Sequence, residues 1–235
     1  ILTLKAIRLS SIILTKSFRD SYILKSLYNV NPIYVPDGID KIYFSKPKNP
    51  KLFREKFSTY ENYLILFIGR LSPAKGPHIL IKAIPYLSQY IDNFKVALIG
   101  PGPQNWLKKL ARKLNVEKRV IITGVLDEEA KISAIDSSKC IVIPSLYDYV
   151  EVFSLVASEA WTRGKPVIAS AVGELPYRIK PGKNGFLVPP KKPELLAKAI
   201  INALYLNPKI NVNFKTWAQI AQKLIRFYNF SENTC

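Results

Sequence analysis

The chain has 235 residues, enough for one full domain and part of another, and no apolar run approaches the ~18 residues of a membrane-spanning helix. A net charge of +18 leaves three kinds of partner open: nucleic acid, an anionic membrane surface, or phosphorylated small molecules. The basic residues are densest at 46–57, 106–119 and 180–192 and carry no aromatic-interleaved motif, which argues against nucleic acid and leaves many of them as a solvated lysine surface.

Taken in chain order, the first 45 residues hold an apolar run (7–15), a helix candidate (17–28), and Pro36-Asp37-Gly38, a turn by its chemistry. The chain contains no methionine, and its opening Ile-Leu-Thr-Leu-Lys lacks the charged-then-apolar layout of a signal peptide. It therefore reads as a piece of something longer, or as a product without its usual front. Residues 46–60, rich in lysine and proline, read as a linker.

From residue 63 onward, short apolar runs alternate with helix-length segments. The strand candidates are 63–69, 94–99, 119–123, 140–143 and 166–170, each continuously apolar, as when both faces of a parallel sheet are covered. The helix candidates are 77–90, 104–115, 127–137, 153–163 and 193–205. This alternation predicts an α/β fold, a Rossmann-like doubly wound parallel sheet, with ligands outside the carboxyl ends of its strands. The tail 214–229 is an amphipathic helix with Trp217, Ile220, Leu224 and Tyr228 near one face. Cys140 and Cys235 are far apart, and neither calls for an oxidising compartment or a metal.

Chemistry is therefore sought in the loops after the strands. Gly69-Arg70-Leu71-Ser72-Pro73-Ala74-Lys75-Gly76 places two cations beside a helix start, an arrangement able to hold a diphosphate. It also fits a plain strand-to-helix loop with exposed basic residues. Glu151 and Glu159 bracket the predicted start of a helix near Phe153, roughly 12 Å apart along the axis. Unpaired amides between them could take phosphates while the carboxylates accept hydroxyls. On spacing alone, a capping acid plus a surface glutamate is the better reading. Gly173-Glu174 and Gly100-Pro101-Gly102 are turns with weak ligand signals, and His78, the single histidine, reads as a core or surface residue.

In order, these pieces resemble the family-4 retaining glycosyltransferases of GT-B fold. The resemblance runs through Pro36–Asp40, Gly69-Arg70, Lys75-Gly76, Ile99–Pro103, Thr123–Val125 and Ile143–Ser145. It continues through Glu151 with Glu159-Ala160, Gly164–Ser170, Val172–Pro176 and Gly185–Val188. It implies that residues 61–210 form the nucleotide-sugar-binding domain. Residues 1–45 would end the acceptor domain and include the interdomain segment, and 211–235 would form a C-terminal crossover helix.

Arg70, Lys75 and Glu151 are the implied catalytic residues. The two cations would bind the diphosphate of a UDP- or GDP-sugar and stabilise the leaving nucleotide with no metal or other cofactor, and Glu151 would contact the transferred sugar. Glu159 would take the ribose, backbone at Phe153, Ser154, Leu155 and Val156 the phosphates, and Gly124 and Val125 would border the base. Gly69 and Gly76 would shape the phosphate loop. The expected acceptor is a glycan or lipid-linked glycan, the setting cytoplasmic with peripheral contact to a membrane. A separate acceptor-domain chain is an expected partner; nucleic acid is not.

Three positions depart from the family pattern. Ser154 stands where glycine is frequent, and Tyr177 replaces a frequent glutamate. The loop between Ser145 and Glu151 is longer than usual, with Asp148 a competing acid. A nucleotide-sugar-binding subunit completed by another chain, and a sugar-nucleotide epimerase, remain alternatives.

Overall fold

The computed structural model describes residues 2–60, 63–210 and 213–232. They fall into two compact units, one within 42–212 and one drawn from both chain ends, within 1–41 and 213–235.

The unit built from the ends starts with α1 (Leu2–Leu9), β1 (Leu14–Thr15), α2 (Phe18–Tyr28) and β2 (Ile33–Tyr34). The two short strands pair in parallel, Leu14 opposite Ile33. Helix α2 starts where Ser17 accepts the Asp20 amide and stops at Asn29, which takes the left-handed conformation that ends helices.

The larger unit follows in chain order: α3 (Ile42–Ser45), α4 (Lys51–Phe57), β3 (Tyr63–Ile68), α5 (Pro77–Leu87), β4 (Phe94–Ile99), α6 (Asn105–Lys113) and β5 (Val120–Gly124). Then come α7 (Glu128–Ser137), β6 (Cys140–Ile143), α8 (Leu155–Thr162), β7 (Val167–Ser170), α9 (Leu175–Arg178), β8 (Gly185–Val188) and α10 (Pro193–Leu204). Its six strands form one sheet in the order β5-β4-β3-β6-β7-β8, every neighbouring pair parallel. Alternate residues explain the continuous apolar runs. Ile65, Phe67, Val96, Leu98, Cys140 and Val142 pack with buried residues of α5, α6 and α10. The residues between them, Leu64, Leu66, Ala97, Ile99 and Ile141, point to the opposite face and are equally buried.

The five predicted strands are present, and β8 is a sixth. Gly185 lets it pair, because a Cβ there would overlap the Val167 carbonyl of the adjacent strand.

The linker expected at 46–60 is a packed part of the larger unit. Phe53 on α4 is fully buried, and its amide donates to Ser133 Oγ on α7 at 2.9 Å. Arg163 and Asp136, both buried, form a bidentate pair at 2.7 and 2.8 Å. Arg163 also donates to the Tyr43 and Lys46 carbonyls, and Asp136 accepts the Asn49 amide. Lysine and proline described the exposed side of this segment and hid its anchors.

The C-terminal helix differs from expectation in the face it covers. Helix α11 (Trp217–Glu232) groups with the N-terminal residues, where Ile39 N–H donates to the Lys215 carbonyl at 2.9 Å. Its covered side is Ile220, Leu224 and Phe227, whereas Tyr228 and Trp217 are exposed. Among the described residues no helix is long and apolar enough to cross a membrane.

Candidate functional site

Strand β3 is followed by β4 on one side and has β6 on the other, so the strand order reverses between β3 and β6. At such a switch point the helices after the two strands go to opposite faces of the sheet, and ligands of such folds bind in the crevice outside the carboxyl ends. Here the loops leaving those ends are 69–76 and 144–151, and they carry the first site. Lys75 Nζ lies 2.7 Å from Glu151 Oε1 and 3.3 Å from the Val150 carbonyl. Ser145 Oγ donates to the same Glu151 oxygen at 2.6 Å. Glu151 is 2% exposed, so this is a buried carboxylate held by one cation and one hydroxyl.

The two loops touch directly. The Leu146 amide donates to the Ala74 carbonyl at 2.9 Å, and Gly76 sits in the left-handed region at φ 72°. A Cβ at Gly76 would overlap the Pro144 carbonyl, so this position needs glycine for both conformation and space.

Asp148, the competing acid of the long loop, has a bracing role: its Oδ1 accepts the Gly173 amide at 2.8 Å. The Glu174 amide donates to the Glu151 carbonyl at 2.8 Å, so the turn after β7 clamps the same loop. Gly69 ends β3 as expected, while Arg70 is exposed and forms no hydrogen bond or ion pair among the described residues.

Helix α8 begins at Leu155, two residues later than the expected start at Phe153. Its N-cap Ser154 makes no side-chain cap, so the amides of Leu155, Val156 and Ala157 carry none. Phe153 lies before the helix under the Arg178 guanidinium, 4.2 Å from its ring centroid. Arg178 also donates to the Ser154 carbonyl at 3.0 Å and to Ser158 Oγ, which fixes the entry to the helix.

The two glutamates face different neighbours. Glu159 lies against α7 and α3: Lys131 Nζ is 3.4 Å from its Oε1 and 2.9 Å from Glu128 Oε1, and Tyr43 donates to Glu128. Among the described residues Glu159 Oε2 is buried with no hydrogen-bond partner. Burial raises the Glu159 pKa above the ordinary carboxylate value, Lys131 opposes the rise and Glu128 adds to it. Lys131 and Tyr43 were not singled out in the sequence; they lie far from Glu159 along the chain, and no local pattern links them.

At the end of β5, Gly124 is left-handed at φ 73° with the Gln104 side chain against it, and Val125 is exposed beside it. His78 is half-buried on α5 with its ring 5.5 Å from that of Trp106, its pKa lowered by burial and by Lys82. Among the described residues no three His, Cys, Asp or Glu side chains gather as a metal site.

The fold is that of an α/β protein whose loops 69–76 and 144–151 meet at the switch point of a parallel sheet. Residues 48–220 match the family model described as "Glycosyl transferases group 1", and the chain belongs to that family. An uncharacterized glycosyltransferase of Methanocaldococcus jannaschii is 34% identical over 179 residues, 72% of this chain and 45% of that protein. D-inositol 3-phosphate glycosyltransferase of Streptomyces griseus is 32% identical over 177 residues, 70% of this chain and 37% of that protein. The chain thus spans less than half the length of these curated relatives. Among solved structures, sucrose-phosphate synthase of Thermosynechococcus elongatus superposes with a TM-score of 0.82 at 24% identity, covering 100% of this chain and 61% of that one. HepE of Anabaena, solved in complex with UDP and glucose, superposes with a TM-score of 0.78 at 23% identity, covering 97% and 67%. Both show the GT-B type of fold.

Proposed function

We propose that this crevice binds a UDP- or GDP-sugar, and that the chain is the donor-binding half of a retaining glycosyltransferase that needs no metal ion. The observation that carries this is the buried Glu151 carboxylate, locked through Oε1 by Lys75 and Ser145 at the switch point. Its Oε2 has no hydrogen bond among the described residues and is free to accept a sugar hydroxyl. Lys75 spends two of its three donors on Glu151 and Val150, which leaves one for a phosphate oxygen. Arg70, free on the same loop, and the uncapped α8 amides supply further positive poles for a diphosphate. Charge developing on the departing nucleotide would meet these donors, already in place.

The unpaired Glu159 Oε2 offers an acceptor for a ribose hydroxyl. Gly124, without a side chain, and exposed Val125 offer a flat edge for the base. The UDP-bound HepE structure and the family membership support this reading. A glycan or lipid-linked glycan is the proposed acceptor, and the +18 charge favours peripheral contact with an anionic membrane on the cytoplasmic side.

Isothermal titration with UDP, GDP and their glucose and mannose conjugates tests the proposal. Micromolar to millimolar binding that weakens about tenfold or more in Arg70→Ala and Lys75→Ala is expected, from the loss of a charge-assisted hydrogen bond. No heat with any of these ligands, or binding indifferent to both substitutions, would refute it.

A further inference from the structure

We propose that Tyr147 and Tyr149 form a stacking platform for a pyranose ring of the acceptor, at the rim of the crevice. The proposal rests on the donor reading above, because Glu151 marks the sugar end of the cleft.

The platform stands on the long loop after β6. Its two ends, Ser145 and Glu151, are hydrogen-bonded to each other at 2.6 Å, which pinches the residues between them into a closed projection from the crevice wall. On that projection the two tyrosine rings stack, centroids 5.5 Å apart and planes within 7°. They remain 41% and 73% exposed, whereas Glu151 on the same loop is 2% exposed. Exposed aromatic pairs are ordinarily mobile, but this loop is tied down on three sides. Leu146 bonds to the loop after β3, Asp148 takes the Gly173 amide from the turn after β7, and the Val150 carbonyl takes Lys75. A fourth contact comes from Lys191, whose ammonium lies 5.0 Å from the Tyr147 centroid. Lys191 holds a left-handed backbone at φ 62°, a conformation that costs energy in a non-glycine residue and so indicates a constrained turn.

Rings held this way offer large contact area at little entropic cost, since tyrosine has only two side-chain torsions to fix. A matching ligand has a flat apolar face and a polar rim. Pyranose rings have C–H faces and hydroxyl edges, and nucleobases are the other candidates. The base edge at Gly124 lies at the end of β5, separated from β6 by β4 and β3, a distance of about 14 Å at the usual strand spacing. The tyrosines are therefore at the sugar end. Buried Glu151 serves the donor sugar, and the exposed rings on the same loop meet a group arriving from solvent.

Saturation-transfer NMR on the whole chain with the methyl glycosides of glucose, galactose, mannose and N-acetylglucosamine tests this, with UDP or GDP saturating. At least one glycoside should receive saturation on its ring C–H protons. That signal should fall at least fivefold in Tyr147→Ala and Tyr149→Ala and persist within twofold in Tyr149→Phe, while nucleotide affinity stays within twofold. Transfer to none of the glycosides, or transfer unchanged in both alanine variants, overturns the platform. So does a loss of UDP-glucose affinity relative to UDP in Tyr149→Ala, which would assign the rings to the donor sugar. If a tyrosine-dependent glycoside signal survives but no nucleotide binds, the carbohydrate platform stands and the donor reading falls.

Discussion

Removing the ammonium of Lys75 leaves Glu151 buried with Ser145 as its one remaining side-chain donor. An uncompensated buried carboxylate is costly, so Lys75→Ala should lower stability by on the order of 2–3 kcal/mol, measured by urea unfolding. Adding Glu151→Gln removes the stranded charge and should restore at least half of that loss, while nucleotide binding stays weak. If the double variant binds like the parent, Lys75 serves only the fold. Glu159 supplies a second residue-scale test. Burial raises its pKa, so it protonates at a higher pH than an ordinary carboxylate, and protonation takes away acceptor capacity. UDP should bind roughly tenfold better than 2′-deoxy-UDP near pH 7.5, the worth of one charge-assisted hydrogen bond. The preference should shrink as pH falls. In Lys131→Met the opposing cation is gone, so the shrinkage should begin at higher pH. A ratio near one at all pH values would remove Glu159 from the ribose site. Of these residues, Lys75, Glu151 and Glu159 were singled out in the sequence as candidates. That Lys75 pairs with Glu151, and Glu159 with Lys131, was not, because each contact depends on strand order rather than on spacing.

At the scale of elements, the parallel strands were legible because burial on both faces leaves long apolar runs. The helices between them were legible too, and the start of α8 was misplaced by only two residues. Helix α4 was not legible: Phe53 is one aromatic among lysines and prolines, and the hydrogen bonds that hold the segment come from Ser133, Asp136 and Arg163, far along the chain. Phe53→Ala therefore discriminates. A linker would tolerate it, whereas the packed helix predicts a loss of about 3–5 kcal/mol, read from the thermal and urea midpoints. Gly76→Ala tests the contact between the crevice loops. The Pro144 carbonyl blocks the added methyl and the backbone is left-handed, so a loss of more than about 2 kcal/mol is expected, with weaker nucleotide binding. Binding and stability both unchanged would mean that the two loops are not in contact.

For the whole molecule, a charge of +18 is too large to be spent on one diphosphate. Helix α6 shows where some of it goes: Leu107 and Ala111 are buried, while Lys108, Lys109, Arg112 and Lys113 are exposed. The chain should sediment with vesicles containing phosphatidylglycerol, fail to do so with pure phosphatidylcholine, and be released by about 0.5 M salt, where screening shortens the reach of charge to ~4 Å. Sedimentation with both lipids, or with neither, would dismiss the electrostatic membrane contact. The central claim concerns the crevice, and amide chemical-shift mapping with UDP-glucose and GDP-mannose tests it most directly. The predicted result is a set of perturbed amides confined to 69–76, 124–125 and 151–159 at the carboxyl ends of the strands. Perturbations centred instead on the opposite end of the sheet, around Asp92, Lys95 and Arg119, or none at saturating ligand, would contradict it.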